Sequence, residues 1–168
     1  GLIWVCLAPL FYAAMNAATS GAFVLSESYL YTKEMVEDAV EHLTDDGILC
    51  AQFGELDYDE NPNRTIRYLG TARMALAELG IEDFARHVMV GVSAGYGRPE
   101  TTTIVIKKSP FTEAELATFQ ATTRDVEGAR SSFVWNDPRV GTPITTVIQG
   151  APEVLEEFYS QSHYKVRP

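Results

Sequence analysis

The sequence is short of the residues on which several classes of function depend. It has two cysteines, Cys6 and Cys50, each inside an apolar run, with neither a CxxC pair nor a neighbouring histidine. That placement reads as buried free thiols in a reducing compartment rather than a disulfide framework or a metal knuckle. The three histidines, His42, His87 and His163, are scattered without ligand spacing, so no metal is expected. Basic clusters are missing as well: 13 Lys and Arg stand against 23 Asp and Glu, a net charge of -10. Affinity for a phosphate backbone comes from Lys and Arg displacing counterions, so no nucleic-acid partner is expected. The acidic balance would suit a cationic substrate such as a polyamine, though it serves solubility equally well. No serine lies in a nucleophile-elbow context, and there is no internal repeat or low-complexity tract.

Charge is absent from residues 1–25. This stretch has no basic start, and Pro9, Asn16, Thr19 and Ser20 interrupt it, so it is expected neither to insert in a membrane nor to act as a signal peptide. Residues 2–7 (LIWVCL) read as a strand buried on both faces, followed by a loop or short helix. Because that strand begins at once from Gly1, without a methionine, the chain is expected to be a processed product or a segment of a longer protein. Its 168 residues, 46% hydrophobic and 21% charged, suffice for one packed core.

Local signals then follow in order. Met35, Val36, Ala39, Val40 and Leu43 recur at helical spacing behind Thr32 as N-cap, with Glu34 in the first turn and His42 in the last. Thr44, Asp45, Asp46 and Gly47 make a turn, and residues 48–53 (ILCAQF) read as a second buried strand. After a polar loop at residues 55–63, Ile66, Leu69, Ala72, Leu76 and Leu79 mark a helix over 64–79 that Gly80 stops. Arg64, Arg67 and Arg73 read most simply as its solvated stripe, with anion recognition as the alternative. Residues 88–93 and 101–107 form an antiparallel hairpin across a linker with Gly95, Gly97 and Pro99. Thr112 and Glu115 spell a capping box, with Phe111 and Leu116 as its hydrophobic staple, for a helix over 113–124. Residues 126–141 read as a loop apart from Phe133, Val134 and Trp135, residues 140–149 as a further strand, and 152–162 as a helix opened by Pro152.

The run from Tyr31 to Gln52 (YTKEMVEDAVEHLTDDGILCAQ) resembles the spermidine synthase family of aminopropyltransferases. In that family a Leu-Phe/Tyr-Thr precedes the helix, and a Leu, a Pro-Asp-Gly type turn and a strand ending in Gln follow it. Leu30, Tyr31, Thr32, Leu43, Asp46, Gly47 and Gln52 match position by position. The phrase SGAFVLSESYLYT is similar to a divergent bacterial group in which such a domain is attached to membrane helices elsewhere in the chain. The resemblance implies an α/β fold, the C-terminal half of a Rossmann-like class I methyltransferase-type sheet: parallel strands with helices, closed by an antiparallel hairpin. Residues 1–110 would form that half, and 111–168 a helical and irregular extension of the same domain.

It also implies a function. The full-length parent would bind S-adenosylmethionine or its decarboxylated form and transfer a methyl or aminopropyl group, with a small amine as acceptor, in the cytoplasm or on the cytoplasmic face of a membrane. Gln52, Glu55, Glu27, Tyr31 and Tyr96 would line the substrate site, and Cys6, Leu7, Ala8 and Pro9 the cofactor side. The family carries an Asp-rich loop where this chain has Cys6-Leu7-Ala8-Pro9, and neither Leu nor Ala can take a proton from an attacking amine. The glycine-rich turn and the ribose-binding acid belong to a first half that is not in this sequence. The alternative is therefore a transferase-fold domain without activity, serving as a regulatory or binding module. With half of the sheet missing, the chain is expected to pair with that N-terminal half or to self-associate.

Overall fold

The computed structural model describes residues 29–95, 99–138, 141–162 and 167–168. The strand expected at residues 2–7 lies outside them. Helix α1 (Lys33–Glu41) starts as expected, with Thr32 Oγ1 accepting from Met35 N at 3.3 Å, and it buries Val36 and Val40. The 44–47 turn closes through Gly47 N to Thr44 O at 2.8 Å. Strand β1 (Ile48–Glu55) follows, then α2 (Asn63–Glu78), which ends before Gly80 at a φ of +79°. That left-handed backbone strains any residue with a Cβ. A 3-10 turn (Phe84–His87) leads into β2 (Val88–Ala94), the partner of β3 (Glu100–Lys107) in the expected hairpin.

The sheet is four-stranded in the order β1-β3-β2-β4, where β4 is Arg130–Phe133. Every pairing among the described strands is antiparallel, which corrects the expected parallel sheet. The reason is the position of β3. The hairpin's return strand does not close the outside of the sheet but lies between β1 and β2, along the whole of β1 from Ile48↔Lys107 to Glu55↔Glu100. Because β1 and β2 both run against β3, they run in the same direction as each other, joined by a crossover through α2.

Two further expectations for strands are corrected. β1 is an edge strand with alternating exposure, not a strand buried on both faces, and Cys50 on it is exposed. Residues expected as a strand at 140–149 contain a helix, α4 (Pro143–Gln149). Thr142 Oγ1 accepts from Thr145 N at 3.1 Å, Pro143 occupies the first turn, and Ile144, Val147 and Ile148 fall at i, i+3 and i+4 on its buried face. Local capping outweighs the β-branched composition. The stretch expected as a loop holds β4, whose register shifts between Val90 and Gly91 of β2, as at a β-bulge.

One face of the sheet, with Leu49, Ala51, Phe53, Val88, Val90, Val92, Ile104, Ile106 and Phe133, meets the main core contributed by α1, α2 and α4, and α5 (Pro152–Gln161) joins it through Leu155, Phe158 and Tyr159. The other face carries a smaller cluster of Met89, Val105, Phe111, Leu116 and Val134 under α3 (Glu113–Asp125). The expected capping box and staple are both in place: Thr112 and Glu115 exchange hydrogen bonds, and Phe111 and Leu116 are buried together. Lys107, its side chain 5% exposed, reaches from β3 to Glu115 Oε1 at 2.7 Å and ties the box to the sheet.

Burial pushes the Glu115 carboxyl up, but hydrogen bonds from Lys107 and Thr112 outweigh it and hold the group below its ordinary value of 4.5. A lowered folded-state value means that the stabilisation is complete above 4.5 and is lost as pH falls through the lower folded value. Glu115→Gln is accordingly expected to flatten the acid limb of a pH-stability curve measured by urea unfolding, and an unchanged limb would refute the assignment. Leu116→Ala, which empties a fully buried site, should cost about 2–5 kcal/mol in the same experiment.

Candidate functional site

On open α/β sheets, ligands collect beyond the carboxyl ends of the strands. The ends of β1 and β2 lie together here, since Glu55 and Ala94 both face Glu100 at the start of β3. Most polar groups at this end are committed to one another. Glu55, 5% exposed, accepts from Thr65 N at 2.7 Å and from Thr65 Oγ1 at 2.9 Å. The N-cap of α2 is Pro62, which offers no side-chain hydrogen bond, so Glu55 caps that helix from the neighbouring strand. Arg130 binds Glu100 at 2.6 Å and Asp59 at 3.0 Å and lies 5.5 Å over the Tyr58 ring. Tyr58 OH in turn donates to Ser132 Oγ, and burial pushes its phenol up to about 12. This network anchors the loop after β1 and leaves little to offer a ligand.

The open site lies beside it, at the outer edge of β1, which no described strand pairs. A groove of about 380 Å³ is lined by Tyr31, Gln52, Phe53, Gly54, Arg64, Arg67, Tyr68 and Thr71. It continues past Tyr31, Arg67 and Thr71 into a second hollow of about 390 Å³ reaching Lys33 and Met74. Three rings form its floor, with centroids 5.5 Å apart for Tyr31 and Phe53, 5.2 Å for Phe53 and Tyr68, and 6.3 Å for Tyr31 and Tyr68. Such tilted and edge contacts hold aromatic side chains in fixed orientation. Arg64, Arg67, Tyr68 and Thr71 reach the groove because positions i, i+3, i+4 and i+7 share one face of α2.

The residues expected at the site part ways. Tyr31 lies in the groove. Gln52 borders it, but its amide is on the opposite face of the sheet from Phe53, donating to Thr103 Oγ1 at 3.0 Å. Glu55 is the buried helix cap. Glu27, Tyr96, Cys6, Leu7, Ala8 and Pro9 lie outside the described residues. The arginine stripe also divides: Arg64 and Arg67 line the groove, whereas Arg73 is half-buried and donates to Val147 O at 2.8 Å and Gly150 O at 2.9 Å, closing the end of α4. Its expected solvated position is thereby corrected. Phe53 and Tyr68 were not legible as site residues; Arg64 and Arg67, read first as a solvated stripe with anion recognition as the alternative, share their helical face with Tyr68.

Among the described residues no three His, Cys, Asp or Glu side chains cluster as metal ligands would, and no helix is long and apolar enough to cross a membrane. No family model matches the chain, and neither the curated proteins nor the solved structures contain a match to it.

Glu55→Ala should destabilise the fold by about 1–3 kcal/mol, because it orphans the Thr65 amide. Glu55→Gln, which keeps a carbonyl acceptor, should cost less. Equal denaturation midpoints for the two variants and the parent would mean that the cap contributes nothing.

Proposed function

We propose that this chain is the second half of a Rossmann-like transferase domain of the spermidine synthase kind, and that the groove at the edge of β1 is the acceptor side of its site. One observation carries this reading: β1 and β2 are co-directional, are linked by a helical crossover, and have the hairpin's return strand inserted against them. A Rossmann-like sheet that ends in a hairpin has these parts in this sequence order. The outer edge of β1, unpaired among the described residues, supports it further, since a parallel strand added there would extend the sheet in the Rossmann-like manner.

A donor of the S-adenosylmethionine type, when bound, supplies a carbon activated by sulfonium for displacement. The groove does not fit that cation, because Lys33, Arg64 and Arg67 border it and its neighbouring hollow and, among the described residues, no Asp or Glu side chain does. On this reading the donor belongs to the first half of such a domain, and the groove receives the acceptor. Its residues orient and exclude water through the Tyr31, Phe53 and Tyr68 rings. None of its described side chains is a base that could deprotonate an amine. That deficit favours the second reading, a domain that keeps the fold and the pocket but serves as a binding module.

Titration calorimetry of the full-length protein with S-adenosylmethionine, decarboxylated S-adenosylmethionine and methylthioadenosine tests the proposal. Micromolar binding that discriminates among the three is expected. A well-folded full-length protein that binds none of them would overturn the transferase reading.

A further inference from the structure

The charge of the groove runs against that of the chain. With 23 Asp and Glu against 13 Lys and Arg overall, a surface hollow drawn at random would be bordered by carboxylates. Among the described residues the charged side chains that line the two joined hollows are instead Lys33, Arg64 and Arg67, and Pro168 also borders the second hollow. Lys33 is held by Glu37 at 2.9 Å and Glu78 at 3.5 Å, so it adds little free charge. Among the described residues Arg64 donates one hydrogen bond, to Gly54 O at 2.7 Å, which ties its guanidinium to the end of β1 and leaves further donors unengaged there. The Arg67 guanidinium makes no hydrogen bond or ion pair among the described residues. One helical turn separates the two arginines, and both line the same hollow.

The floor adds a second, independent feature. Tyr68 is 3% exposed, yet its hydroxyl makes no hydrogen bond among the described residues, and the residue lines the groove. The hydroxyl is not fully enclosed, and a partner can reach it through the groove, beside the rings of Tyr31 and Phe53. Flat apolar surface below, an unengaged phenol at the base and two guanidinium forks at the rim make a site with a definite polarity.

We infer that the groove binds a small organic anion with a flat, unsaturated body, its carboxylate or phosphate across Arg64 and Arg67 and its ring on the aromatic floor, where Tyr68 donates to it. The inference deepens the proposed function by naming the acceptor's chemical class, and it rests on that reading for the site's role in group transfer. It also replaces the polyamine that the chain's acidity first suggested. A polycation would meet two arginines and no described carboxylate in this groove.

The test is titration of the intact protein with four probes: adenosine 5′-monophosphate for a phosphate head, phenylpyruvate for a carboxylate head, adenosine as the uncharged control, and spermidine. Saturable binding of at least one anion is expected, and the head group that binds more tightly identifies the source. Arg67→Gln, at an exposed position that should leave the melting temperature unchanged, is expected to weaken that binding by about ten-fold, as befits one charge-assisted contact. Tyr68→Phe should weaken it several-fold, and Arg124→Gln, on the exposed side of α3, should not change it. The inference falls if neither anion binds, if adenosine or spermidine binds as tightly, or if Arg67→Gln binds like the parent. Anion binding that depends on Arg67 without donor binding would keep it and remove the transferase reading. Donor binding without anion binding would do the reverse.

Discussion

β3 hydrogen-bonds on both sides along nearly its whole length, to β1 and to β2, and the placement of the other elements follows from that double pairing. It holds β1 and β2 pointing the same way without pairing to each other, so their carboxyl ends meet the one amino end of β3. The crossover through α2 must then lie on a single face of the sheet, where Leu69, Ala72, Ala75 and Leu76 join the main core. The opposite face receives α3, tied down by Lys107 of β3 itself through Glu115. Remove β3 and both cores lose their shared wall.

The same geometry sorts the charges. At the end of the sheet, Glu55 is met by Thr65, because a carboxylate withdrawn from water must be met by donors, and Glu100 and the exposed Asp59 are paired with Arg130. Of the cations of α2 that face the edge of β1, Arg64 meets the Gly54 carbonyl and Arg67 makes no hydrogen bond or ion pair among the described residues. An acidic chain thus exposes a basic, aromatic-floored groove, whose charge opposes that of the chain. Net charge describes solubility and long-range steering, whereas recognition is decided over a few ångströms by the groups that line the hollow.

Features decided within a turn or two of chain were legible in the residues. Thr32 and the Thr112–Glu115 pair cap their helices as expected, Gly80 stops α2, Pro152 opens α5, and the hairpin of β2 and β3 forms where its strands were expected. The site was legible only in part. Tyr31 reached the groove, but Gln52 turned its amide to the far face of β1 and Glu55 went to the helix cap, since strand alternation assigns adjacent residues to opposite faces.

Sequence by itself determined the α/β class, the order of most elements and the caps that bound them, because each depends on a backbone group and a side chain a few residues apart. Only the tertiary structure decided that β3 enters between β1 and β2, that Cys50 is exposed on an edge, that Arg73 serves α4 while Arg64 and Arg67 serve the groove, and that Glu55 caps α2 across a loop. Each of these is set by which surfaces meet across long separations in sequence, where periodicity tells that a face is apolar or charged but not what will be packed against it.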